Sequence, residues 1–347
     1  MKNVKVILIG VALCAAVFAN QRIDALGGDS GFWPGDKDNI NTFPADVNNH
    51  GFVEVDGVGS TLDEDGNHIH DITATIVWGD ATKWGFKFAE NAGDTWFDMM
   101  WGSGDMGIRA ALMSSSESAD ADGVTGFNLG YGQNFSWGEL GVNLMSVDDA
   151  TSYGVNWRGD LGFWAFDKSK ASLGMTDDGM ETTTMNLDFD MFTHMDAGGA
   201  DVLFGLGFGY ESWNLAEVAA VVDDPATADV DETADALAAA ALTRMTLPSA
   251  TVAVEADMTD WATFRCFVNT NYSVAVTNDV ARDMGDHLVD GYTGSSTTYG
   301  FGLGFNWGGL TADMHISENV LQDPVSYMTG YEDGSLTEAG VTLTYSF

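Results

Sequence analysis

Four cations lie within or at the ends of segments that alternate apolar with small or polar residues: Lys87, Arg109, Arg158 and Arg265. Carboxylates occupy similar segments at Asp98, Asp188, Asp190, Glu255 and Asp257. Successive side chains of a strand point to opposite faces, so phase decides where each charge goes. Lys87 is out of phase with Trp84, Phe86 and Phe88 and points away from that apolar face. If such a strand crossed a bilayer, a Lys or Arg facing mid-membrane lipid would cost about 2–4 kcal/mol. These charges are therefore expected to face an interior. Two arrangements fit. Facing walls of opposite charge set up a transverse field across water, or paired charges fill a closed interior as salt bridges.

Other chemistry is thinner. His68-Ile69-His70 puts two imidazoles on one strand face, at a spacing that suits a shared metal. No third His or Cys lies near them, so two solvated histidines in an acidic loop are the plainer reading, and no metal is expected. Asp63-Glu64-Asp65-Gly66-Asn67 has the composition of a calcium loop, but its Gly is misplaced and the closing Glu is missing. Neither a Gly-x-Ser-x-Gly elbow nor a His-Glu-x-x-His helix occurs. No catalytic residue, no cofactor and no enzymatic activity are expected. The acidic, Ala-rich stretch 217–241 reads as an exposed loop, with a short helix folded inward as the alternative.

The elements that must position these groups are strands. Val202, Phe204, Leu206, Phe208 and Tyr210 alternate with Leu203, Gly205, Gly207 and Gly209, and 185–191, 299–307 and 341–347 repeat the pattern. Period two with one apolar face is the strand signature. Further candidates are 51–57, 72–79, 83–89, 95–102, 106–114, 123–131, 139–145, 152–158, 161–167, 170–175, 213–222, 248–258, 260–277 and 309–316. Some of these are expected to merge or to lie outside the sheet, which leaves a count of 14 to 16, with 14 favoured. Short turns at 79–82, 102–105 and around Trp137-Gly138 contrast with longer acidic connections at 115–122, 146–151, 176–181, 193–200, 223–236, 278–296 and 317–337. That asymmetry, with the alternation, predicts an all-β fold: a transmembrane antiparallel β-barrel with its apolar faces on lipid. Most of the 11 tryptophans sit near predicted strand ends. Trp78, Trp84, Trp96, Trp101, Trp137, Trp157, Trp213, Trp261 and Trp307 are read as an aromatic girdle at the lipid–water interface. A soluble exported β-sandwich or propeller is the alternative that uses the same strands.

The 347 residues carry 52 acidic against 13 basic side chains, a formal charge of −39. Nucleic-acid binding needs a basic footprint and is excluded. Disorder is excluded by 12% aromatic residues. No apolar run near 20 residues follows the N-terminus, so a helical membrane bundle is excluded as well. Lys2 and Lys5, the apolar run Val6–Phe18 and Val17-Phe18-Ala19 predict a signal peptide over 1–19, with the mature chain starting near Asn20. Leu13 before Cys14 argues against a lipoprotein. The domain reading is then signal peptide 1–19, an N-terminal plug or periplasmic leader 20–50, and the barrel 51–347. The acidity suits a cation-preferring lumen, by the logic of Asp/Glu rings, and equally suits a salty medium.

The C-terminal Gly340-Val-Thr-Leu-Thr-Tyr-Ser-Phe347 resembles the closing strand of Gram-negative outer-membrane β-barrel proteins, with Tyr345 and Phe347 at the aromatic positions. The resemblance implies outer-membrane localisation, contact with outer-membrane lipid, and recognition of this strand by the barrel-assembly machinery. The stretch Arg22–Gly28, with Leu26-Gly27-Gly28, and Phe43-Pro44-Ala45 resemble the N-terminal segment of fatty-acid-transporter-like barrels, with Phe43 replacing the usual Asn. That resemblance implies a plug before the first strand. The functional expectation is porin-like, cation-leaning passage of small solutes. The alternatives are a hydrophobic-substrate channel and a non-conducting structural or adhesive surface barrel.

Overall fold

The computed structural model describes residues 20–57, 61–62, 68–69, 72–91, 94–115, 123–179, 182–214, 241–277, 293–316 and 341–347. The strands are β1 Phe52–Asp56, β2 Thr61–Leu62, β3 His68–Ile69, β4 Thr73–Trp78, β5 Thr82–Asn91 and β6 Asp94–Ser103. They continue as β7 Met106–Ser115, β8 Thr125–Phe135, β9 Gly138–Val147, β10 Ala150–Gly159, β11 Lys168–Asp177 and β12 Thr183–Asp196. The last are β13 Ala200–Asn214, β14 Ala241–Thr259, β15 Ala262–Thr277, β16 Gly294–Trp307, β17 Leu310–Ile316 and β18 Val341–Ser346.

Strands β2 and β3 form a small separate pair. The other sixteen close a barrel in which each pairs antiparallel with its neighbours and β1 joins β4 on one side and β18 on the other. Closure leaves no sheet edge, which is what a strand must achieve where no water can satisfy its backbone. Sixteen replaces the favoured count of fourteen because fewer segments merge than the sequence reading allowed. Two candidates drop out. Residues 161–167 form a tight turn with a Phe163–Phe166 bridge. Of 213–222, Trp213 and Asn214 end β13, and the rest lies outside the described residues.

Tight turns at 79–81, 104–105, 136–137, 197–199, 260–261 and 308–309 gather at one end, with the 160–167 turn, Gly51 and Phe347. The strand ends that border 116–122, 215–240, 278–292 and 317–340 lie at the other. Two connections read as long are short. Asp148-Asp149 alone turns β9 into β10, with Asp148 at φ 53°, and residues 197–199 turn β12 into β13 at the tight-turn end. Asp tolerates that left-handed conformation, so a two-residue hairpin needs no Gly there.

Residues 20–50 lie inside the barrel. They form one helical turn, α1 Gln21–Asp24, capped by the Asn20 side chain, and three 3-10 turns at Ser30–Phe32, Lys37–Asn41 and Pro44–Asn49. Ile23, Leu26, Phe32 and Trp33 pack with inward-facing Phe192, Leu203 and Ala253, while Ile40 and Val47 pack with Phe52, Val77 and Met100. The small residues of the alternating pattern make the space. A Cβ on Gly107 would strike the Pro44 carbonyl, one on Gly132 the Ala45 nitrogen, and one on Gly141 the Thr42 carbonyl. The Gly-rich face is therefore a bed for this segment. Overpacking such a contact costs about 1–3 kcal/mol. Gly141→Val is expected to leave the barrel folded, with its usual heat-dependent gel mobility, but to speed proteolytic cleavage within residues 20–50. Unchanged cleavage would contradict the packing described.

Candidate functional site in the barrel lumen

The charges of the lumen are joined largely through the N-terminal segment. On one wall, Arg22 pairs with Asp36 and grips Glu255 with two nitrogens, at 3.0 and 2.6 Å. Glu255 also accepts from Arg265 at 2.7 Å, and Arg265 donates to Asp313 at 2.6 Å. Farther round the wall, on β10, Arg158 donates to the Gly31 carbonyl, Asn39 and Asp46 of the segment, and to Glu139 of β9 at 2.5 Å, with its guanidinium 4.7 Å from the Phe43 ring centre. Lys170 bridges Asp29 at 2.6 Å and Asp190 at 3.0 Å, over the Phe32 ring. Lys37 pairs with Glu54 of β1 at 2.8 Å, and Arg109 with Asp98 of β6. His194 holds Asp201 through Nδ1 at 2.9 Å and the Phe32 carbonyl through Nε2 at 2.7 Å.

All four cations singled out in the sequence, Lys87, Arg109, Arg158 and Arg265, lie on the lumen face, and Lys87, Arg158 and Arg265 are buried. Asp98 and Glu255 join them in ion pairs. Asp190 pairs with Lys170 instead, and Asp188 accepts from Ser172 at 3.1 Å. Asp257 lies at the exposed rim, held by the Thr263 hydroxyl. Sequence reasoning missed Arg22, Lys37, Asp36 and Glu54, though it named Glu255, which also faces Arg22. The available signal was two cations within 20–50 in a chain with only 13. Of the metal candidates, His68 lies in β3 and His70 lies outside the described residues, as does 63–67. Among the described residues no metal-holding group of His, Cys, Asp or Glu occurs.

Burial shapes the protonation of the segment. Burial, then the nearby Asp56 carboxylate, pushes Asp24 up to about 7. Burial and Glu139 push Asp46 up to about 6 against the pull of Arg158. Burial and the adjacent Asp36 also raise Asp38. Asp36 itself is held low, because Arg22 and Lys37 outweigh its own burial.

The outer face is apolar. Phe88, Leu112, Leu129, Tyr153, Met175 and Val268 are exposed on it, a surface suited to hydrocarbon rather than water. Near the tight-turn end it becomes aromatic. Phe135 stacks on Trp137 at 4.7 Å, Phe305 stands between Trp261 and Trp307, and Tyr345 and Phe347 lie 6.4 Å apart. The chain is a closed antiparallel β-barrel whose apolar outer face suits a membrane. Trp78, Trp84, Trp101 and Trp157 share that outer face. Trp96 and Trp213 do not. Trp96 is in phase with Asp98 and packs on Met113 and Met145 inside, and Trp213 lies against the inward-facing Arg244. Both sit at the loop end of the barrel, where an indole can fill the lumen instead of meeting lipid.

No protein-family model matches the chain, and no curated protein matches its sequence. Solved structures give distant similarity. A bacterial polysaccharide outer membrane secretin has 13% identity and a TM-score of 0.48, covering 85% of this chain and 97% of its own. BamA from Haemophilus ducreyi lacking POTRA domains 1–3 has 10% identity and a TM-score of 0.40, covering 85% and 70%. OccK10 (OpdN) from Pseudomonas aeruginosa has 10% identity and a TM-score of 0.28, covering 85% and 98%. The barrel is established by its own strand pairing.

Recesses flank the N-terminal segment at both ends. One, of about 650 Å³, opens at the tight-turn end among Arg22, Trp33, Lys37, His50, Glu255 and Asp313. Another, of about 260 Å³, lies on the loop side above Asn41 and Thr42. Removing one partner of a buried ion pair costs about 3–5 kcal/mol, whereas exposed pairs contribute about 0–1 kcal/mol. Arg158→Met is therefore expected to lower the heat stability of the folded barrel clearly. Lys168→Met, whose partner Asp160 is 85% exposed, should change it little. A carboxyl raised in the folded state stabilises that state below the ordinary carboxylate range and loses the effect as pH rises through its folded value. For Asp24 and Asp46 that window runs from about 4 to about 7. Heat stability in detergent should fall from pH 5 to pH 8, with a shallower slope in Asp46→Asn. A rise over that window would contradict the burial described.

Proposed function

We propose that this barrel is a channel for passive, cation-leaning passage of small polar solutes, and that residues 20–50 are a plug forming its constriction. The observation that carries this reading is the ion-paired segment between two recesses. It narrows a polar lumen without lining it with apolar groups. Arg22, Lys37, Arg158 and Lys170 face carboxylates that outnumber them, and the chain carries −39 overall. A negative mouth and lumen raise the local concentration of cations. The polar lining also argues against a hydrophobic substrate, since an acyl chain would leave amides and hydroxyls unpaired. Residues 1–19 act as the export signal in this reading, and the assembly machinery reads β18 through Tyr345 and Phe347.

Conductance of the refolded chain 20–347 in a planar bilayer under a KCl gradient tests the proposal. The expected result is steady conductance with a reversal potential of cation sign, raised several-fold when residues 20–50 are deleted. Anion preference, or silence from a demonstrably folded barrel, would overturn it, and silence would favour a structural surface barrel.

A further inference from the structure

The loop-side recess differs in chemistry from the rest of the lumen. Asn128 of β8, Asn143 of β9, Asn156 of β10 and Asn186 of β12 line it, with Ser152 and Ser172 between them. The register gives these amides room. Asn143 lies between Gly130 and Gly154, Asn156 is opposite Gly141, and Asn186 is opposite Gly174. A Cβ on Gly154 would strike the Asn143 amide, and one on Gly174 the Asn186 amide, so each carboxamide lies over a bare stretch of the adjacent strand.

Among the described residues none of the four amides hydrogen-bonds to another protein group, and each is partly accessible. An amide presents two donors and an acceptor, and a polar group left without partners in a confined space favours any solute that supplies them. Among the described residues no carboxylate lines this recess, although the chain carries −39, and the single charge on its wall, Arg109, is engaged by Asp98. The neighbouring carboxylate Asp188 is engaged by Ser172, and Ser152 bonds to Thr176. The described wall therefore favours neither a cation nor an anion. A neutral solute with adjacent hydroxyls, each able to donate and accept, matches a wall of carboxamides. The volume of about 260 Å³ lies just under the usual ~300–1,000 Å³ of small-molecule sites, which limits the occupant to one small ring. Tyr153 lies on the outward phase of β10, so among the described residues the recess has no aromatic stacking platform, and binding there is weak and quickly reversed.

We propose that this recess is a binding site for a neutral polyol of monosaccharide size. Its role as a way-station for passage rests on the channel reading above, whereas binding itself does not. The probe is D-glucose, titrated by calorimetry or ligand-observed NMR against the barrel folded in detergent. The expected result is saturable, millimolar binding that is insensitive to salt. Asn143→Leu with Asn186→Leu removes polar partners worth roughly tenfold or more in affinity. Asn143→Asp with Asn186→Asp keeps the shape but removes donors, and serves if the Leu pair does not fold. Binding should weaken in either pair while gel mobility stays normal. No saturable binding, or binding that neither pair alters, would overturn the proposal. Conductance of the same preparation separates the two claims. Conductance without glucose binding would remove the site alone, and glucose binding without conductance would remove the passage reading alone.

Discussion

Arg158 shows the constraint on which the interior depends. Its guanidinium is buried, so it needs partners, and its two terminal nitrogens find them in several separate parts of the chain: Gly31, Asn39, Asp46 and Glu139. A charge taken out of water costs several kcal/mol unless it is paired and hydrogen-bonded. Strand phase forces the basic residues of this barrel inward, away from lipid. Once inside, they need carboxylates within reach, and the N-terminal segment brings Asp29 to Lys170 and Asp46 to Arg158. The segment's own cations, Arg22 and Lys37, find Glu255 and Glu54 on the wall. Wall and segment are thus each incomplete without the other.

The same phase rule explains why glycine is so frequent. A barrel of sixteen strands encloses a lumen that short side chains alone would leave open. Gly107, Gly132 and Gly141 let the segment's backbone approach the wall closely on one side. Farther toward the loop side, the glycines stop carrying the segment and start accommodating asparagines. One sequence feature, small residues alternating with apolar ones, therefore serves two purposes at two depths.

How much of this could be read in the sequence follows from the range of each signal. Period-two alternation is local, and it identified nearly every barrel strand, the inward phase of Lys87, Arg109, Arg158 and Arg265, and several tight turns. Closure at sixteen depended on whether particular segments merge, and only pairing decides that. Residues 161–167 have the composition of a strand, yet Gly162 and the left-handed Trp164 fold them into a turn. Ion-pair partners are not local at all. Arg22 and Glu255 are separated by 233 positions, and nothing in their neighbourhoods announces the contact. Trp96 and Trp213 resembled girdle residues because they lie near strand ends. Their phase, read against Asp98 and Glu211, already placed them inward.

The central claim is that residues 20–50 fold inside the barrel, held by charges on its wall. Hydrogen exchange of their backbone amides in the detergent-folded protein tests it most directly. The amides of Ala25, Leu26, Asn39, Phe43 and Asp46 donate within the segment and lie in the packed lumen, so they should exchange as slowly as strand amides of β12 and β13. Exchange of 20–50 at the rate of an unstructured peptide, with the strands still protected, would contradict the account.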